Sequence, residues 1–261
     1  MPTKDEIRRT VRDHYRSIVQ KENSCCGKDS DSTKVTFQLG YPDEALREAP
    51  AEANLGLGCG NPLATANLKP GETVLDLGSG AGFDCFLAGK DVGPTGLVIG
   101  VDMTPEMIAR ARENAQTVGA TNIEFRLGEI EHLPVADASV DAIISNCVIN
   151  LSPDKPQTYR DAFRVLKPDG RLEVSDVVLR RPLPEPMRGD LSRNYAQCVS
   201  GASTVGEIKQ MLAEAGFIDV VVDVKESSKE FIKEWSSEIP LAAYIASAII
   251  EAKKPGTRSG N

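Results

Sequence analysis

Six cysteines, at positions 25, 26, 59, 85, 147 and 198, are the most reactive residues of this 261-residue chain. Thiolates are nucleophiles and soft metal ligands, so their placement decides what chemistry is open. No two of them have the C-x₂₋₄-C spacing of a zinc chelate, and the adjacent Cys25-Cys26 is a poor substitute. Cys85 falls inside a helical stretch and reads as a small buried hydrophobe. A second candidate group is the run Asp76-Leu77-Gly78-Ser79-Gly80-Ala81-Gly82, with Asp102 twenty residues beyond it. A glycine-rich turn lets a ligand approach backbone that side chains would screen, and an acid at the end of the next strand can accept both hydroxyls of a ribose.

The elements that position these residues follow from periodicity. Residues 4–20 set Ile7, Val11, Ile18 and Val19 along one stripe of a helix. A polar segment carries Cys25 and Cys26, residues 42–49 read as a short helix, and Cys59 stands in the glycine-rich Asn54–Pro62. From residue 73 the pattern alternates. Strands are predicted at 73–77, 97–101, 123–127, 140–145 and 171–178, with helices at 83–90, 105–118 and 157–166, the last stopped by Lys167-Pro168-Asp169-Gly170. That rhythm predicts an α/β fold, a parallel sheet with helices on both faces. Pro182, Pro184 and Pro186 break it, and an inserted helix is predicted at 187–199. A helix over 205–215, capped by Gly216, and a strand at 219–224 follow. Residues 243–253 read as a closing strand, although their alanine content also permits a helix.

In an open parallel sheet, ligands bind beyond the carboxyl ends of the strands. Cys147 lies just past the fourth strand, and Cys198 lies in the insertion after the fifth, which would roof the same cleft. Cys59 lies in the loop entering the first strand. Three cysteines distant in sequence can therefore meet over one bound cofactor. Neither His14 nor His132 is assigned a ligand role. Asp76 suits a positively charged amino-acid moiety and would repel a pyrophosphate, and the loop lacks the full GxGxxG form. Both details favour S-adenosylmethionine over a dinucleotide.

Composition narrows the classes. The formal charge is −8, from 38 acidic and 30 basic residues, and no basic stripe is visible, so no nucleic-acid partner is expected. No apolar run approaches the roughly 20 residues of a membrane span, and no secretory signal is visible. A cytoplasmic chain with no membrane partner is the resulting expectation, and there cysteines serve as ligands or redox groups more often than as a disulfide framework.

Over residues 70–180 the sequence resembles the class I methyltransferase family. Beside the glycine loop, the resemblance rests on Leu127-Gly128-Glu129-Ile130-Glu131-His132-Leu133-Pro134, Asp141-Ala142-Ile143-Ile144-Ser145-Asn146 and Val165-Leu166-Lys167-Pro168-Asp169-Gly170. It implies a Rossmann-like fold with a mostly parallel seven-stranded sheet, and S-adenosylmethionine held by Asp76, Gly78, Ser79, Gly80, Asp102 and Met103. Glu129 and Ile130 would flank the adenine, and Asn146 would lie near the methionine part. Three further segments resemble the arsenite methyltransferases within that family: Gly58-Cys59-Gly60, Ser145-Asn146-Cys147-Val148-Ile149-Asn150-Leu151 and Ala196-Gln197-Cys198-Val199-Ser200-Gly201-Ala202. The N-terminal helix followed by Cys25-Cys26-Gly27 is similar to microbial members.

This closer resemblance implies trivalent arsenic bound by Cys59, Cys147 and Cys198, with no tightly bound metal cofactor. It also implies a redox cysteine in the Cys25-Cys26 pair, of which either could act, and thioredoxin or glutathione as reductant. Residues 1–69 would be an N-terminal helix and cysteine-bearing segment, 70–180 the cofactor-binding core, and 181–261 the insertion and closing strands of an arsenic-binding roof. The larger C-terminal domain of many relatives would be truncated or absent. Two alternatives stay open from the residues themselves: a class I methyltransferase of another small molecule with incidental cysteines, and a non-catalytic metalloid or zinc binding protein. Cys59, on its glycine-rich loop, is expected to be the most easily displaced of the three.

Overall fold

The alternating pattern builds a single twisted sheet. The computed structural model describes residues 3–21, 32–184, 198–236 and 240–257. Helices α1 (Lys4–Lys21), α2 (Ser32–Gln38), α3 (Asp43–Glu48) and α4 (Leu63–Ala66) precede β1 (Thr73–Leu77). Then come α5 (Phe83–Val92), β2 (Leu97–Asp102), α6 (Pro105–Thr117), β3 (Ile123–Leu127), β4 (Val140–Asn146), α7 (Lys155–Val165) and β5 (Leu166–Leu179). The chain closes with β6 (Ser203–Thr204), α8 (Val205–Ala215), β7 (Ile218–Lys225), α9 (Lys229–Ile232) and β8 (Ile245–Lys253). The sheet order is β3-β2-β1-β4-β5-β8-β7, seven strands, with the two-residue β6 paired to β5 at one end. All pairings are parallel except those of β8, which runs antiparallel to both β5 and β7.

Both faces of the sheet are covered, so its central strands are predominantly apolar. Val74, Leu75 and Leu77 of β1 have no exposed surface, each worth roughly 1.5–3 kcal/mol on burial. Helix starts follow local chemistry. Pro105 opens α6 behind Thr104, Asp154 caps α7 by accepting from the Gln157 N–H at 3.2 Å, and Thr204 and Glu207 form a reciprocal capping box on α8.

One expectation needs correction. Lys167-Pro168-Asp169-Gly170 does not separate helix from strand: β5 begins at Leu166, and the four residues form an irregularity where the register against β4 jumps from Val140↔Leu166 to Ala142↔Arg171. Residues 32–38 and 63–66, for which the periodicity predicts no element, are short helices. The alanine-rich end is a strand. Ala246, Ala248 and Ala252 are almost wholly buried in β8, between β5 and β7, and that packing overrides alanine's helix preference. The predicted inserted helix falls almost entirely on residues 185–197, outside the described residues, as do Cys25 and Cys26.

On the sheet, Glu173 of β5 stands opposite Glu251 of β8 and accepts a hydrogen bond from Thr65 at 3.1 Å. Burial, then the neighbouring Glu251, pushes its carboxyl up to about 7. A folded value above the unfolded one near 4.5 means that the fold favours the protonated acid. The associated stability is present below about pH 4.5 and is lost as pH rises through about 7. Glu173→Gln should therefore raise the melting temperature at about pH 8 and change it little at about pH 5. Thermal unfolding monitored by circular dichroism at both values checks this; a loss of stability at the higher pH would contradict it.

Candidate active site

The carboxyl ends of β1, β2 and β4 open onto one cavity, roofed in part by α1. Gly78, Ser79, Gly80, Asp102, Met103 and Ile130 line it, as does Asp76 at its floor. An added Cβ at Gly80 would meet only the Met107 sulfur, at 3.9 Å, so a side chain there would project into the cavity space. Ser79 Oγ is buried and makes no hydrogen bond among the described residues, which leaves a polar group to be satisfied by a ligand. Asp102 accepts backbone N–H groups from Gly80 at 3.0 Å and Thr104 at 2.8 Å. It thus braces the glycine turn and the start of α6 as well as facing the cavity.

Acids dominate the lining. Asp76, Asp84, Asp102 and Glu131 all face the cavity, and among the described residues Arg8 is the one cation lining it. Burial is the first cause that raises the carboxyls of Asp76, Asp84 and Asp102, with Asp84 reaching about 6. A ligand carrying positive charge would reverse that penalty, whereas a pyrophosphate would add to it. The lining, the cradle and the orphaned hydroxyl therefore fit a cationic nucleoside such as S-adenosylmethionine.

Two side chains have partners that sequence patterning did not show. Ile130 lines the cavity, and Glu129 pairs with Arg8 at 3.2 Å and Arg12 at 3.8 Å of α1. Cys85 is not merely apolar filler, since its thiol donates to Asp76 Oδ2 at 3.2 Å. Sequence reasoning missed Tyr41 and Asp84. Tyr41 Oη donates to Asp84 Oδ1 at 2.6 Å, buried beside the cavity. Asp84 had one available signal, an acid in the first turn of the helix that follows the glycine loop. Tyr41 had none.

Asn146, the last residue of β4, joins this end to the cysteines. Its Oδ1 accepts the Cys59 N–H at 3.0 Å, and its Nδ2 donates to the Gly60 carbonyl at 2.8 Å and to Tyr41 Oη at 3.0 Å. Gly58 passes so close, at φ +134°, that a Cβ there would lie 2.8 Å from Asn146 Nδ2. Ser247 Oγ donates to the Cys59 carbonyl from β8. The Cys59 loop, expected to be loose, is clamped on both sides, and Cys59 has no exposed surface.

The three cysteines do converge. Cys59 and Cys147 are joined as a disulfide with Cα atoms 5.6 Å apart, so the expected pair of free thiolates is present in oxidised form. The buried Cys198 thiol donates to the Cys147 carbonyl at 2.9 Å, and Cys147 and Cys198 both line the cavity. Both stand in left-handed backbone, at φ 59° and 62°, a region costly for residues other than glycine. Cys147 is fixed there by its own N–H, which donates to the Ser175 carbonyl at 2.7 Å. Lys155 Nζ reaches Ser203 Oγ at 2.7 Å and the Gly201 carbonyl, holding the Cys198 segment down on the start of α7.

Known proteins bear on this arrangement. Residues 68–216 match the family model described as a methyltransferase domain. The chain is 50% identical to an arsenite methyltransferase of Halobacterium salinarum, over 96% of its own length and 67% of that protein's. The chain belongs to the arsenite methyltransferase family. It is 38% identical to an arsenite methyltransferase of Aquipseudomonas alcaligenes, over 80% of this chain and 62% of that one. Of the human arsenite methyltransferase it spans 58%, at 34% identity. It thus spans about two thirds or less of the curated relatives it matches. A solved arsenic(III) S-adenosylmethionine methyltransferase of Chlamydomonas reinhardtii shares 31% identity and a TM-score of 0.64, covering 88% of this chain and 75% of that one. Membership in this family brings S-adenosylmethionine as cofactor, consistent with the cavity. No described helix is long and apolar enough to cross a membrane.

Asn146→Ala should leave the Cys59 N–H and the Gly60 carbonyl without partners in a buried setting. The expected loss is about 1–3 kcal/mol in urea unfolding, with slower closure of the Cys59–Cys147 disulfide by thiol counting. Unchanged values on both measures would mean that the clamp does not position the loop.

Proposed function

We propose that this chain transfers methyl groups from S-adenosylmethionine to trivalent arsenic held by Cys59, Cys147 and Cys198. The observation that carries the reading is the meeting of three cysteines, from three distant segments, beside a cavity built for a cationic nucleoside. The cofactor would be held by Asp76, Gly78, Ser79, Gly80, Asp102, Met103 and Ile130, with Asp84 and Tyr41 at the charged end. When bound, it supplies a sulfonium methyl group open to in-line attack by the arsenic lone pair.

The protein's own contribution begins with reduction of Cys59–Cys147 by a thiol. Arsenite then exchanges its three hydroxyls for three thiols, releasing three waters, because trivalent arsenic prefers soft sulfur. Three sulfurs on one side leave the lone pair on the other. No proton leaves the nucleophile, so no general base is required; His14 and His132 both lie off the cavity lining. Alignment is the main catalytic contribution, worth up to about 7–11 kcal/mol in favourable systems. Methyl transfer formally oxidises arsenic by two electrons. A pair of cysteine thiols can return those electrons by closing a disulfide, and thioredoxin or glutathione would reopen it. Cys25 and Cys26 are the candidates to relay electrons to the site. No resident metal enters this scheme, and a reducing cytoplasmic setting would suit it.

Incubation of reduced protein with arsenite, a thiol and methyl-labelled S-adenosylmethionine tests the reading. Label is expected in separated arsenic species, and label confined to unreacted cofactor would reject it. A sharper expectation follows from valence. Monomethylarsonous acid has only two exchangeable positions, so it should need two thiolates. Cys147 and Cys198 face the cavity and Cys59 lies behind its wall, so depth, not looseness, makes Cys59 the third ligand. Cys59→Ser should lose most activity on arsenite yet retain it on the monomethyl substrate, while Cys147→Ser and Cys198→Ser lose both. Equal loss in Cys59→Ser, with cofactor affinity intact, would refute this division.

A further inference from the structure

One buried carboxylate beside the cysteine pair has no task in arsenic methylation. Asp176 of β5 is 2% exposed, and one of its oxygens lies, with the sulfurs of Cys59 and Cys147, in a set whose members are all within 4.8 Å of one another. Its carboxylate is held in place by three donors: Asn150 Nδ2 at 2.8 Å, the Val177 N–H at 2.7 Å and the Asn150 N–H at 3.2 Å. Outer hydrogen bonds of this kind orient metal-binding carboxylates. Zinc takes sulfur at about 2.3 Å and carboxylate oxygen at about 2.0–2.2 Å, so its ligands stand roughly 3.5–3.8 Å apart. Cys59 and Cys147 are bonded as a disulfide, so on reduction their sulfurs would part to about this spacing, while each approaches the carboxylate oxygen by no more than about 1 Å to close the set around one ion. The lack of C-x₂₋₄-C spacing argues only against a site built from one short segment; this one draws on the first loop, the end of β4 and the middle of β5.

We propose that the reduced chain binds one Zn²⁺ through Cys59, Cys147 and Asp176, and that zinc thereby competes with trivalent arsenic. A phosphine or dithiol first opens the disulfide, giving two electrons and two protons to the sulfurs and becoming oxidised itself. Zinc then displaces the two thiol protons to solvent, and water fills the fourth position. Two thiolates and one carboxylate leave the centre with one net negative charge. Softness separates the two ions. Arsenic takes sulfur and recruits Cys198, whereas zinc accepts oxygen and recruits Asp176. The zinc site stands on this geometry alone; only the competition rests on the arsenic reading.

The test uses a Cys25→Ser/Cys26→Ser background, reduced with a phosphine, stripped of metal and titrated with Zn²⁺ alone against a chromophoric chelator. One zinc per chain is expected. Asp176→Asn should weaken zinc by at least about tenfold and leave arsenite affinity nearly unchanged, while Cys198→Ser does the reverse. Zinc at ten times its own dissociation constant should raise the apparent arsenite constant about tenfold. X-ray absorption at the zinc edge, on the chain with Asp176 intact, should show two sulfur ligands with oxygen completing the shell. This result decides the matter if Asp176→Asn does not fold. No zinc bound, three sulfurs at the zinc, or undiminished affinity in Cys59→Ser/Cys147→Ser would overturn the proposal. Zinc binding without arsenite binding would instead overturn the arsenic reading and leave the zinc site standing.

Discussion

Everything at the carboxyl end of the sheet hangs on one side-chain amide. Asn146 accepts from Cys59, donates to Gly60, and touches the Tyr41 hydroxyl that is bonded to Asp84. It is the last residue of β4, and the next residue is Cys147. One planar group with a fixed donor and acceptor therefore sets the distance between the acid-lined cofactor end and the cysteine end. An isosteric aspartate could not replace it, because a carboxylate cannot donate to the Gly60 carbonyl. The requirement also explains Gly58, whose missing side chain lets the loop approach the amide closely.

The charge pattern complements that clamp. The cavity concentrates carboxylates in a chain that is already acidic, and burial raises the pKa values of Asp76, Asp84 and Asp102. Such a site is poorly solvated until a cation arrives. α1 covers the opening through pairs of opposite charge, Arg8 with Glu129 and Glu131, and Arg16 with Glu106. Arg16 and Glu106 pair near the surface, where such a contact is worth little alone, whereas Glu131 is buried. The helix also buries Val11 and Ile18, and those apolar contacts hold it more firmly.

The sheet was legible because its signals are local. β1 and β3 match their predicted ranges, and the remaining central strands differ mainly at their ends. The convergence of Cys147 and Cys198 was also legible, since the rule that ligands bind beyond strand ends places both without knowledge of side chains. What stayed hidden depends on contacts between distant residues. Tyr41 meets Asp84 across 43 positions, and Ser247 meets Cys59 across 188. Glycine content suggested a loose loop at Cys59, but those glycines serve close approach. The ion pairs of Glu129 stayed hidden because its partners, Arg8 and Arg12, lie on a helix whose docking site no pattern in the sequence announces.

The left-handed backbone at Cys147 and Cys198 has a consequence for how this chain can evolve. At both positions the backbone conformation alone favours glycine, which adopts it without steric cost. Cysteine there is a standing thermodynamic concession, kept only while the thiol is useful. Lineages released from that selection should therefore drift toward glycine at these two sites before they lose the sheet. Their descendants would keep the cofactor cavity and have no acceptor site beside it.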